Sequence, residues 1–183
     1  MRRGDSLTVI PITGNAMSET PGRILHFSAP TERQAYDHDL AVFRQESHRS
    51  LNAMQDFALT HPSKRTDILG TLDVAKQEFE ASPPGNRRSL IVMSDYLEDD
   101  GVYRFTSDKA LADVGTVQTL ADHLQKEHAL ALRDVHVLLE AIQSKDLRSL
   151  GPNRQHTVWA FWKTYFAPTA AVEIQIDGIQ TNR

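Results

Sequence analysis

The chain has 183 residues, 40% of them apolar, and its 20 basic and 24 acidic side chains give a formal charge of −4. That balance provides no basic face of the kind nucleic acid or an anionic membrane would require. With no cysteine, disulfides, thiolate metal sites and cysteine nucleophiles are excluded, and either a reducing or an oxidising compartment would suit the chain.

Length and apolar content fit one domain over residues 1–183 with a core of its own. No apolar run reaches the length of a membrane-spanning helix. Met1-Arg-Arg-Gly-Asp-Ser6 leads into only a short apolar stretch, Leu7 to Ile12, broken by Pro11. It does not read as a signal peptide.

In chain order, Leu7 to Thr13 reads as a strand, with Pro11 favouring a strand end or a bulge. Gly14 to Gly22 is rich in turn residues and predicts a loop. Arg23 to Ser28 is a second short strand, expected beside the first because consecutive strands usually neighbour each other. Tyr36 to Thr60 predicts a helix, with Leu40, Phe43, Ser47, Leu51, Met54 and Ala58 on one stripe. His61-Pro62-Ser63 breaks it. Thr66 or Asp67 caps a second helix whose stripe is Ile68, Leu72, Ala75 and Phe79, and Ser82-Pro-Pro-Gly-Asn86 stops that.

Ser89 to Met93 reads as a buried parallel strand with Asp95 at its C-terminal tip. Tyr96 to Asp113 predicts a loop with a short Val-Tyr-Arg-Phe strand and one helical turn. A third amphipathic helix runs from Thr116 to Leu130, then a strand from Arg133 to Glu140. Gln155 to Phe166 is a helix carrying Trp159, Phe161, Trp162, Tyr165 and Phe166. Ala171 to Ile176 alternates cleanly, as a half-exposed edge strand does. Helices alternating with parallel-type strands predict an α/β fold: a doubly wound, mostly parallel sheet with helices on both faces.

In such sheets ligands and metals bind at the C-terminal tips of the strands. Asp95 stands at such a tip, and Thr66 offers a hydroxyl that could face the same crevice. Each has a plainer role open to it, a turn carboxylate for Asp95 and a helix N-cap for Thr66. Glu98-Asp99-Asp100 forms an acidic rim or a solvated turn ending at Gly101. His123 and His128 are five apart, the wrong spacing for one helical face, so they do not read as metal ligands. No glycine-rich phosphate loop and no nucleophile elbow is present. The aromatic run from Trp159 to Phe166 reads as a core helix, or as a core helix with a second, exposed interaction face.

Three segments together resemble the von Willebrand factor type A fold, across nearly the whole chain: Gly-Asp-Ser-Leu-Thr-Val-Ile-Pro-Ile near the start, Thr66-Asp-Ile-Leu-Gly-Thr-Leu, and Leu-Ile-Val-Met-Ser-Asp95. The closing Phe-Trp-Lys-Thr-Tyr-Phe helix and final strand are similar to those of bacterial members. The resemblance implies a non-catalytic protein-binding module that docks a protein ligand at the top of the sheet. It implies a metal-ion-dependent adhesion site in which Thr66 and Asp95 are metal ligands.

The family's Asp-x-Ser-x-Ser segment, its first strand and the helix after it have no counterpart here, so the domain reads as N-terminally incomplete. Three situations would account for the gap: a gene that starts upstream, flanking strands that close together, or a strand supplied by a partner chain. One carboxylate and one hydroxyl are too few for a tight octahedral site, so Mg²⁺ or Mn²⁺ binding is expected to be weak or absent. Two other functions stay open: a metal-free scaffold domain that associates through loops or open sheet edges, and a small α/β hydrolase or phosphotransferase using Asp95.

Overall fold

Pro11 cannot donate to a β-ladder, and the first strand stops short of it. In the computed structural model, which describes residues 4–31, 36–61, 63–83, 85–128, 134–168, 171–176 and 179–180, β1 spans Ser6–Val9 rather than reaching Thr13. It pairs antiparallel with β2 (Leu25–Ser28), Ser6 opposite Ser28 and Val9 opposite Leu25. The predicted loop between them holds a short helix, α1 (Ala16–Glu19), because the Asn15 side chain accepts from Ser18 N at 3.2 Å and caps it.

The long helix α2 (Tyr36–Thr60) has the predicted bounds. Its stripe rests on β2 through Phe43, whose ring meets Phe27 edge-on at 6.2 Å. Further along, Phe57 is exposed and carries the Arg23 guanidinium over its ring at 4.4 Å.

The remaining elements are α3 (Ile68–Ala81), β3 (Arg88–Ser94), α4 (Val114–His128), β4 (Val135–Ala141), α5 (Lys145–Ser149), α6 (Pro152–Tyr165), β5 (Ala171–Ile176) and β6 (Ile179–Gln180). The predicted ends of the α4 helix at Leu130 and of the β4 strand at Arg133 lie outside the described residues. β3, β4, β5 and β6 form a second sheet in that order, parallel from β3 to β5, with β6 antiparallel on the end of β5. β5 is therefore flanked on both sides where it meets β6, and is not the bare edge its alternation predicts.

The chain is thus a mixed α/β protein with two small sheets. Among the described residues β1 and β2 do not join β3, so the strands on either side of the expected gap have not closed together.

Register explains where the core lies. Val92 pairs with Leu139 and Leu90 with Val137, so the even residues of β3 share a face with the odd residues of β4. That face is buried under α3, α4 and α6, through side chains such as Leu72, Leu124 and Trp162. The opposite face carries Ser89, Ile91 and Met93, with Ile91 59% and Met93 57% exposed. β3 is thus an outer strand with one open face, not the fully buried strand expected. A short apolar run does not by itself separate one-faced from two-faced burial.

Candidate functional site

The site expected from the sequence lies where β3 ends and α3 begins. After Ser94 the chain turns sharply, because Tyr96 takes a positive φ of 62°. This is the left-handed region, uncommon for a bulky side chain. Three hydrogen bonds hold it there. Tyr96 N donates to Ser94 Oγ at 3.1 Å, its hydroxyl donates to Val92 O at 2.5 Å, and Trp162 Nε1 donates to Tyr96 O at 3.0 Å. Burial pushes the Tyr96 phenol well above its ordinary value.

The turn carries Glu98 to the N-terminus of α3. Glu98 is 0% exposed, and its Oε2 accepts from Ile68 N at 3.0 Å and Leu69 N at 3.1 Å. Asp67 completes the cap. Its Oδ1 accepts from Gly70 N at 2.7 Å and its carbonyl from Thr71 N at 3.2 Å. The first N–H groups of α3, which a helix cannot satisfy internally, are therefore all paired within the chain. Asp67 Oδ2 also accepts from Ala16 N at 2.8 Å, tying α1 to α3. A Cβ at position 70 would stand 2.5 Å from Asp67 Oδ2, so any larger residue there would displace the capping carboxylate.

Burial pushes the Glu98 carboxyl up to about 9; the two backbone donors oppose this, and nearby Asp67 and Asp100 add to it. A carboxyl shifted this way is expected to hold its proton at physiological pH. Its Oε1 is buried without a hydrogen-bond partner among the described residues.

Thr66 lies beside this cap without forming it. Its N–H donates to Asp99 O at 3.0 Å and its carbonyl accepts from Asp99 N at 2.8 Å, an antiparallel bridge that locks the two loops. Asp95 is half-buried, and its Oδ1 accepts from Leu97 N at 3.2 Å, the turn-carboxylate role. The capping residue is Asp67, one position after Thr66.

The rim beyond is held by an ion pair and by side-chain-to-backbone hydrogen bonds of its own. Asp99 Oδ2 meets Arg104 Nε at 3.2 Å, and Asp100 Oδ1 accepts from Val102 N at 2.6 Å and Tyr103 N at 2.7 Å. Gly101, at φ +97°, leaves room for the Arg65 guanidinium against it. The expected solvated turn is corrected at Glu98, which is fully buried. Asp99 and Asp100 are half-buried, and Val102 is 77% exposed at the loop tip.

These donors do not fit a tight divalent-cation site. Mg²⁺ and Mn²⁺ favour several hard oxygens converging in near-octahedral order. Here Asp67, Glu98 and Asp100 each spend an oxygen on more than one backbone contact or on the helix cap, and Asp99 meets Arg104 through Oδ2. The two buried oxygens left without a partner among the described residues, Glu98 Oε1 and Asp99 Oδ1, are too few for an octahedral shell. Among the described residues no group of three acidic or histidine side chains is placed to hold a metal. The same cap bears on phosphate chemistry, since the N-terminus of α3 already faces two carboxyl groups of the chain.

His123 and His128 go to different partners. His128 Nδ1 meets Asp73 Oδ2 at 2.7 Å, pinning α4 to α3, and that hydrogen bond raises its pKa. His123 lies 3.6 Å from Glu127 on the same helix. On α6, Phe161, Trp162 and Tyr165 are buried, as is Phe166 at its C-terminal cap, and Trp159 is half-buried, so this aromatic run serves the core and shows no second exposed face.

Glu98 is the residue that sequence reasoning misplaces. A buried carboxyl thirty and twenty-nine positions from the two N–H groups that donate to it leaves no local pattern. The chain matches no protein-family model, no curated protein and no solved structure.

Proposed function

We propose that the chain is a non-catalytic protein-binding module of the von Willebrand factor type A kind, docking a protein ligand on the loop from Asp99 to Arg104 without a tightly held metal. The observation that carries this reading is the double carboxyl cap on α3, joined to the loop by the Thr66–Asp99 bridge. It makes the loop a fixed platform at the strand tips and leaves Val102 projecting from it. Binding sites set on rigid elements need little ordering when the ligand arrives.

The order of elements supports the family reading: an antiparallel first pair, then parallel strands joined by helices, with Asp95 at a tip and Thr66 in the adjoining loop. The doubly wound arrangement expected from the sequence would need a second helical layer over the face bearing Ile91 and Met93, which is open among the described residues. Mg²⁺ or Mn²⁺ is weakly held or not held, since Asp95 and Thr66 bring one carboxylate and one hydroxyl. Use of Asp95 as a hydrolase or phosphotransferase nucleophile is disfavoured, because Oδ1 is engaged by Leu97 N and, among the described residues, no phosphate cradle stands beside it.

The test is a peptide ligand selected from a random library on the full chain. Binding is expected to persist in EDTA and to fall at least tenfold in Val102→Asp, a substitution at an exposed tip that leaves the core alone. Selected ligands that release in EDTA, or that bind Val102→Asp unchanged, would overturn the proposal.

A further inference from the structure

β3 is seven residues long and ends its sheet, so its outer edge is open among the described residues. Ser94 O accepts from Ile142 N at 2.9 Å, so the even residues of β3 turn their backbone groups toward β4. Ser89, Ile91 and Met93 therefore turn theirs to the open edge, and among the described residues these groups find no partner. Proteins usually blunt such an edge with charge, proline or a bulge. β3 opens on Arg88, but from Ser89 to Ser94 it carries no charge and no proline, and its register with β4 runs without a bulge.

We infer that this edge pairs with the same edge of a second copy of the chain, antiparallel about a two-fold axis at Ile91. The charges that flank the strand select this occupant. Arg87 is exposed on the N-terminal side and Asp95 lies on the C-terminal side. Antiparallel pairing centred on Ile91 sets Arg87 opposite the partner's Asp95 at both ends. Parallel pairing would set like charges side by side, which is unfavourable.

The same register satisfies the backbone. Ile91 faces the partner's Ile91, and Ser89 faces the partner's Met93, so every outward-turned group meets another. It also keeps the faces in step: Leu90 and Val92 of both copies lie on the covered side, Ile91 and Met93 on the open side. An isologous contact of this kind closes as a dimer and does not propagate. The inference is independent of the ligand reading of the Asp99–Arg104 loop.

The absence of cysteine allows a direct test. Residues facing each other in a hydrogen-bonded antiparallel pair stand about 5.5 Å apart at Cα, within the range a disulfide spans. Ile91→Cys is expected to form a covalent dimer under mild oxidation, while Met17→Cys, exposed on another part of the surface, does not. By sedimentation the full chain has the mass of two copies. Arg87→Glu weakens the dimer about tenfold or more, and so does Asp95→Arg, while the double variant recovers it. Arg87 is exposed, so its reversal leaves folding intact and keeps the test valid if Asp95→Arg does not fold. A monomer at all concentrations, as would follow if the edge takes a strand from another protein, would overturn the inference. So would a dimer insensitive to Arg87→Glu, or equal crosslinking by the two cysteine variants.

Discussion

Glu98→Ala is expected to lower stability by about 2–4 kcal/mol in urea denaturation at neutral pH. The substitution strips the acceptor from two buried N–H groups at the start of α3. A buried donor left unpaired costs about 1–3 kcal/mol, and release of the buried carboxyl offsets part of the total. Glu98→Gln keeps an oxygen in place and separates acceptor from acid.

The pH dependence has a definite sign. In the unfolded chain the carboxyl ionises near its ordinary value of 4.5, whereas in the fold it holds its proton up to about 9. Between these values the unfolded chain binds fewer protons, so stability falls as pH rises, with the folding constant dropping toward tenfold per pH unit. The stabilisation is fully present below the lower value and lost as pH passes the upper one. His128, raised by Asp73, acts in the same direction over its own window, so the comparison is made against Glu98→Gln, which retains His128. The glutamine variant should show a shallower fall and exceed the wild type in stability at the alkaline end. Parallel pH profiles for the two proteins would show that Glu98 is ionised in the fold.

Trp162→Ala is expected to be the most damaging single truncation, at about 4–5 kcal/mol, enough to leave much of the chain unfolded at moderate urea. Trp162 is 0% exposed, and its ring meets those of Tyr96, Phe105, Phe161, Tyr165 and Phe166 at centroid distances of 5.0–6.0 Å. It also holds the strained turn, since its indole N–H is the donor to Tyr96 O. Trp162→Phe should keep much of the packing and lose that hydrogen bond, for about 1–2 kcal/mol. If the phenylalanine variant proves as unstable as the alanine variant, the hydrogen bond to Tyr96 outweighs the ring.

What can be read from the sequence here is what local chemistry controls. The α2 helix is legible end to end because its stripe repeats and His61 follows it. Asp67 as the cap of α3 is legible because it acts within three residues. Parallel pairing of the Leu90–Met93 run is legible from its β-branched character and the helices on either side.

Long-range geometry is not legible. The placement of Glu98 depends on Tyr96 entering a backbone region that its side chain disfavours, where contacts from Val92, Ser94 and the distant Trp162 hold it. The apolar run in β3 suits a central strand as well as an outer one, and only the register with β4 shows which face is open. Within the predicted Gly14–Gly22 loop, Asn15 supports a helix too short for periodicity to reveal.

The carboxyl groups around α3 each engage donors of the protein through at least one oxygen and form no tight cation site among the described residues. Titration of the full chain with Mg²⁺ and with Mn²⁺ by calorimetry, repeated on Asp95→Ala, tests this most directly. The expected result is no saturable binding in the micromolar range for either protein. Low-micromolar affinity that disappears in Asp95→Ala would contradict the claim and make Asp95 and Thr66 metal ligands after all.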